Sequence, residues 1–227
     1  DPFIMHSIKL SIISCTITTI FCLIVAVPIG YLMSRFNFHG KALLDTILDI
    51  PIMLPPLIIG ISLLIFFNTD LVNGFENFLQ KLFHSKNIKI NPTFTVASVI
   101  LAQFMVACAF AVRSMRTTFD EINFRQEQVA LTLGCSRGQA FRRIVLPQAK
   151  GGMVTAATLA WARSLGEFGP ILIFAGTTRM KTEVLSTTVY LEFSVGNLAM
   201  ATTVSIFMII TAVYILLIMR FYGKKNI

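Results

Sequence analysis

Two charges stand four residues apart inside an otherwise apolar run: Arg163 and Glu167, within Trp161-Ala-Arg-Ser-Leu-Gly-Glu-Phe-Gly-Pro170. A charged side chain at the centre of a bilayer costs at least about 2.5–3.5 kcal/mol on the insertion scale. On a helix the spacing puts both on one face, where they can pair. Arg before Glu is the weaker order for a helical pair, so local pairing is a thin reason to keep both. Pro170 has no amide hydrogen for the Gly166 carbonyl, and Gly166 and Gly169 add a further break. Charge and irregular backbone at one depth read as a polar pathway or gate built from Arg163, Ser164, Glu167 and Pro170. The competing reading is a buried ion pair that fixes helix packing.

A second chemically informative run covers 127–147 and is basic and amphipathic. It reads as two short helices hinged at Gly134, where a residue without Cβ permits a sharp reversal. Ala130, Leu131 and Leu133 supply the apolar side of the first helix. Ser136 is placed to cap the second, whose Ala140, Phe141 and Ile144 form an apolar face beside Arg137, Arg142 and Arg143. Pro147 suits the entrance of a following helix. A compact helical knob of this kind suits docking into a groove on another protein.

Covalent chemistry finds little support. His6, His39 and His84 fall in separate segments, with no carboxylate and nucleophile arranged around them. An intramembrane enzyme would need converging Ser/His, paired Asp or metal-ligand clusters. Cys15, Cys22, Cys108 and Cys135 have no metal-ligand or CxxC spacing and read as small packing residues. Gly40-Lys41 lacks the glycine loop and following hydroxyl of a phosphate-binding P-loop, so this chain is expected to bind no nucleotide itself.

The elements that must position these groups are membrane helices. The chain of 227 residues is 55% hydrophobic and only 13% charged, against about a quarter charged in soluble domains. The stretches 10–34, 50–69, 90–112, 151–178 and 193–219 hold almost no charge, and each has the roughly 20 apolar residues needed to cross a bilayer. They predict an all-α integral membrane protein forming a single domain over 1–227. Its five spans fall at about 4–34, 48–68, 93–113, 151–176 and 197–220, with a loop over 114–150. Pro51, Pro55 and Pro56 predict a kinked or unwound start to the second span, or a loop with the helix beginning after Pro56. Phe75, Phe78, Leu79, Leu82 and Phe83 predict a short amphipathic helix over 74–83. The first stretch opens with Asp1-Pro2 and has no basic leader pattern, so it is expected to be a retained span.

The net charge of +8 does not point to nucleic acid, because the basic residues sit between hydrophobic spans. Arg35, Lys41, the arginines from Arg113 to Arg143, Lys150, Arg220, Lys224 and Lys225 form the richer set. The positive-inside rule then predicts the N-terminus outside and the C-terminus and the 114–150 loop in the cytoplasm.

The run 127–147 resembles the EAA loop of ABC importer permeases. Its pattern is Glu-Ala-Ala, three residues, Gly, nine residues, then Ile-x-Leu-Pro. Gly134, Ile144, Leu146 and Pro147 fall in register, and Ala130 matches the second alanine. Gln128 and Val129 stand where Glu and Ala are usual, with Glu127 one position early. The stretch 162–176, Lys181-Thr-Glu-Val-Leu185, Gly40-Lys-Ala-Leu-Leu-Asp45 and the Leu54-Pro-Pro run are similar to permeases for molybdate, tungstate and sulfate, with Pro170 in place of an alanine. The resemblance implies a type I ABC importer permease fold in the cell membrane. It implies a permease homodimer, two cytoplasmic ABC ATPase subunits carrying ATP and magnesium, and an extracytoplasmic solute-binding protein. It makes the loop the ATPase-coupling element, carried by Glu127, Gln128, Ala130, Gly134, Ser136, Arg137, Phe141, Ile144, Leu146 and Pro147. The expected activity is alternating-access import of an oxyanion. The alternatives are a permease for another solute, and an autonomous secondary transporter or channel, which would call for internal duplication and more spans.

Overall fold

Small residues decide which way the first helix turns. In α1 (Pro2–Arg35) the buried positions include Ser7, Ser11, Ser14, Thr18, Cys22, Ala26 and Gly30, while Ile13, Ile20, Phe21 and Ile24 are exposed. This is the arrangement of a membrane bundle, where backbones approach through small residues and bulky apolar chains face lipid. At Gly30 an added Cβ would stand 2.9 Å from the Arg116 backbone nitrogen, so the helices cross there with room for nothing larger. The 34 residues of α1 span about 51 Å, well beyond a hydrocarbon core of about 30 Å.

The computed structural model describes residues 2–69, 72 and 91–224. The helix expected over 74–83 lies outside the described residues. Among the described residues every regular element is helical: α1, α2 (Lys41–Met53), α3 (Pro56–Phe67), α4 (Val96–Glu121), α5 (Phe124–Thr132), α6 (Arg137–Ala140), a π turn over Phe141–Val145, α7 (Leu146–Gln148), α8 (Lys150–Leu165), a second π turn over Ile171–Ala175, α9 (Leu185–Ser194) and α10 (Leu198–Lys224).

Among the described residues three helices are long and apolar enough to cross a membrane, α1, α4 and α10, with a fourth crossing if α2 and α3 count as one broken span. The chain bends by 111° between those two helices. Pro51 stays inside α2, and the break falls at Leu54 and Pro55, both extended at ψ 141° and 130°. Each of them precedes a proline, which disfavours helical ψ. The second helix starts at Lys41, not near 48, and α4 runs on to Glu121, past the 113 expected. The fourth stretch is also interrupted: α8 ends at Leu165, and its 16 residues reach about 24 Å.

The core runs along α1, α4 and α8 through Cys22, Ala26, Ala107, Ala111, Met115, Ala156 and Ala160. The two interrupted elements pack on each other through glycine. A Cβ on Gly60 would lie 2.7 Å from the Pro170 Cα, and one on Gly169 would lie 3.1 Å from the Leu57 nitrogen.

Candidate functional site

The elbow forms as its residue types require. The Asn123 side chain caps α5 by accepting the Arg125 amide at 3.0 Å. The chain then reverses at Gly134 with φ +88°, where a Cβ would meet nothing within 4 Å. Glycine is needed there for its backbone, since no neighbour crowds it. The Ser136 hydroxyl accepts the Gln139 amide at 3.3 Å, and the Gln139 side chain accepts the Ser136 amide at 2.9 Å. This reciprocal cap starts α6. Pro147 lies in α7, which follows the π turn over Phe141–Val145 without a break, and it brings no N–H to the helical run there.

One side of the elbow is fixed to α1 and α4. Glu127 is buried and accepts a hydrogen bond from the Tyr31 hydroxyl. Arg35 Nε lies 3.4 Å from the same carboxylate, and Arg35 Nη2 donates to the Ile122 carbonyl at 2.8 Å. The Phe141 ring sits 4.6 Å from Tyr31 and Tyr31 5.6 Å from Phe119, giving an aromatic clamp. The Arg137 guanidinium lies 5.9 Å above Phe36. Ala130 and Ala140 are buried, and Phe141, Ile144 and Leu146 are half-buried.

The other side is open. Gln128, Ser136, Arg137, Arg142 and Arg143 are exposed, and so are two apolar residues, Val129 at 56% and Leu133 at 79%. Leu133, grouped by sequence with Ala130 and Leu131 on the apolar side of the first helix, lies just past the end of α5 at Thr132 and is exposed. The anchors Tyr31 and Arg35 escaped sequence reasoning. Their signal was a tyrosine and an arginine one turn apart at the end of an apolar helix.

The charged break is the second candidate. Arg163 Nη2 meets Glu167 Oε1 at 2.9 Å, so the expected pair forms. Glu167 is 1% exposed, whereas about a third of the Arg163 side chain is exposed, with its guanidinium 5.6 Å from the Phe110 ring centre. The helix has already ended by Glu167, whose amide turns back to the Ser164 carbonyl at 3.3 Å. The chain is non-helical over 166–168, at the break expected of Gly166, Gly169 and Pro170, and is helical again from Gly169. The Glu167 carbonyl accepts the Ser186 hydroxyl at 2.7 Å. Ser164 is buried, its hydroxyl donating to the Ala160 carbonyl at 2.8 Å, and Pro170 is buried against Gly60. Of the four residues named for a gate, Arg163 is the one with substantial side-chain exposure.

Sequence reasoning missed Gln103, the lone amide in the apolar run of α4. Its Nε2 donates to the Ser164 carbonyl at 3.2 Å, and its Oε1 accepts the Thr18 hydroxyl at 3.2 Å. It joins α1, α4 and the end of α8 beside the break. At the far end of α4, Arg113 Nη2 pairs with Asp49 Oδ2 at 2.7 Å and Arg116 pairs with Asp45, tying α2 to α4.

Residues 26–225 match the family described as binding-protein-dependent transport system inner membrane component. The chain is 30% identical over 192 residues to the sulfate transport system permease protein CysT of Salmonella typhimurium, covering 85% of this chain and 66% of that protein. It is 34% identical over 220 residues to the probable transport system permease protein NifC of Clostridium pasteurianum, covering 95% and 73%. It is 29% identical over 228 residues to the molybdate/tungstate transport system permease protein WtpB of Thermococcus kodakarensis, covering 100% and 82%. The chain thus spans about two thirds of the length of the sulfate relative. In fold it is similar to a chain of a bacterial ABC transporter involved in the import of the acidic polysaccharide alginate, with a TM-score of 0.78 at 18% identity, covering 99% of this chain and 80% of that one.

Proposed function

The chain belongs to the family of binding-protein-dependent transport system inner membrane components, and from that premise we propose that it is the permease subunit of an ATP-driven importer for a tetrahedral oxyanion of the molybdate, tungstate or sulfate kind. The relatives named for sulfate and for molybdate/tungstate transport support the solute class. The observation that carries the coupling role is the elbow: rigidly anchored on one side through Glu127, Tyr31 and Phe141, and open on the other with Leu133, Val129, Arg137 and Arg142. A rigid mount with an exposed apolar and basic face transmits a push from a docked partner into α1 and α4.

In this reading the chain is one membrane domain with five crossings, α2–α3 and α8 with its π turn each serving as a broken one. The termini lie on opposite sides, with the elbow cytoplasmic. Two copies face each other across the solute path, two ATPase subunits hold ATP and magnesium and grip the elbows, and a solute-binding protein delivers the anion outside. ATP binding draws the ATPases together, the elbows follow and the path opens outward; hydrolysis resets it. No residue of this chain performs covalent chemistry. Gln128, which stands where the family's pattern has Glu, lies with Ser136 and Arg137 on the open face that docks the ATPase, while Glu127, Ala130, Gly134, Phe141, Ile144, Leu146 and Pro147 shape and mount it.

The test is to replace Gly134 by valine in the assembled transporter. Membrane insertion is expected to persist while ATP-driven uptake and its link to ATP hydrolysis are lost. Normal substrate-stimulated hydrolysis in that variant would remove the coupling role.

A further inference from the structure

The elbow carries an uncompensated charge on one side of its hinge. From Gly134 to Lys150 the sequence has four cations, Arg137, Arg142, Arg143 and Lys150, and no acid. All four are exposed, and among the described residues no ion pair involves any of them. The Arg137 guanidinium leans over Phe36; Arg142 and Arg143, adjacent in sequence, repel each other with no carboxylate between them. Before the hinge Glu127 is the one acid of α5, and its buried carboxylate is already held by Tyr31 and Arg35. The nearest exposed acids in sequence, Asp120 and Glu121, close α4 before the elbow begins, and Asp120 stands 3.9 Å from Arg116.

Beside this charge is a small apolar projection. The Leu133 amide donates to the Val129 carbonyl at 3.1 Å, so these two exposed side chains stand one turn apart, next to the reversal at Gly134. Gln128 and Thr132 around them are exposed and uncharged. Two apolar side chains do not make the broad apolar face with which a helix lies in a bilayer surface. An apolar centre with a charged margin is instead the anatomy of a protein–protein contact. Its partner must then offer the complementary potential.

We propose that the ATPase surface gripping this elbow is an apolar pocket with a carboxylate rim: Leu133 and Val129 enter the pocket, and Arg142 and Arg143 meet Asp or Glu side chains on the rim. The proposal rests on the permease reading and gives its partner a chemistry. It also makes the elbow selective. Gln128 offers no carboxylate where the family's pattern has Glu, so a groove that presents a cation meets only like charges here and is rejected.

The experiment uses the complex of this chain with the ATPase that purifies with it, held in nanodiscs containing phosphatidylserine. Arg142→Lys and Arg143→Lys keep the charge and supply an amine, which a carbodiimide joins to a touching carboxylate, an amide forming as water is lost. Mass spectrometry is expected to map the new bond to an Asp or Glu of the ATPase. Raising salt from about 0.05 to about 0.5 M should weaken the parental complex, and Arg142→Gln with Arg143→Gln should remove most of that dependence. Leu133→Ser should weaken association at both salts by about tenfold, the scale of one buried leucine. Salt-independent association with no amide bond to the ATPase overturns the carboxylate rim, and retention of the ATPase by Leu133→Ser equal to the parent overturns the pocket. Amide bonds to the lipid carboxylate alone make the bilayer surface the partner and overturn both. If the chain imports anions with no ATPase attached, the permease reading itself falls; if an attached ATPase drives import while these tests fail, only the groove's chemistry is wrong.

Discussion

The Tyr31 hydroxyl at the end of α1 donates to the Glu127 carboxylate of the elbow, and Arg35 stands on the carboxylate's other side. Side chains of Arg35 and Glu127 are only 7% and 6% exposed, so removing either partner strands a buried charge. Glu127→Ala is expected to destabilise the chain by about 3–5 kcal/mol. Tyr31→Phe, which removes one hydrogen bond to a charged group, should cost about 1.5–3 kcal/mol. Thermal unfolding of the purified, detergent-solubilised variants measures both. An alanine variant as stable as the parent would mean that the elbow is held by its aromatic contacts alone.

At Gly134 the backbone, not space, forbids other residues. With φ +88° and nothing within 4 Å of a built Cβ, Gly134→Ala should cost about 1–2 kcal/mol. Gly134→Asn should cost clearly less, since asparagine visits the left-handed region more readily. Alanine and asparagine variants of equal stability, compared by the same unfolding measurement, would show that the reversal at Gly134 is not retained in the assembled protein.

Gly60 makes the opposite case. A Cβ there would lie 2.7 Å from the Pro170 Cα and 3.1 Å from its carbonyl oxygen, and backbone cannot step aside as a side-chain tip can. Gly60→Ala should destabilise by about 1–3 kcal/mol through overpacking. It should also raise protease sensitivity in the segment 166–170. Unchanged cleavage there would mean that α3 and Pro170 separate without consequence.

The apolar helices, the elbow and the ion pair were legible because each is local: an apolar run, a Gly between two amphipathic turns, two charges four apart. Gly134, Ser136 and Pro147 are governed by their own backbone neighbours, so spacing alone found their local geometry. The break at Leu54 was half-legible, since consecutive prolines announce a bend without saying which residue takes it. What stayed hidden depends on packing between distant segments. Tyr31, Arg35 and Gln103 matter because α1 and α4 bring them to Glu127, Thr18 and Ser164, and nothing adjacent to them in sequence says so. The break after α8 was legible in Gly166, Gly169 and Pro170, but not that the helix already stops at Leu165.

Glu183 gives a pH signature. It is buried between the second π turn and α9, beyond the expected span. Burial pushes its carboxyl above the ordinary range; Thr188, Arg179 and His6 pull it back and Glu192 adds to the rise. A carboxyl raised in the fold binds more protons folded than unfolded. Its contribution is fully present below the ordinary carboxylate value and is lost as pH rises through the raised one. Glu183→Gln, neutral at every pH, should lack that slope. Its advantage over the parent in Tm should therefore shrink as pH falls from about 8 towards about 4, the ordinary carboxylate range. A constant difference across that window would mean that Glu183 keeps its ordinary affinity for protons.

The pair at the break separates packing from passage. Glu167 is almost fully buried and Arg163 is not, so the two halves of the pair are not equivalent. Glu167→Gln leaves the arginine with its full charge at the break; Arg163→Gln leaves a buried carboxylate beside an apolar neighbourhood. If the two serve only to hold α8 to the break, each single variant should be worse than the double variant, because a lone buried charge costs more than none. If Arg163 meets the passing anion, the double variant should remain as defective in uptake as Arg163→Gln, even where its stability recovers. Uptake and unfolding measured on all three variants decide between these outcomes. A double variant of Arg163→Gln with Glu167→Gln that transports at the parental rate would reduce the pair to packing.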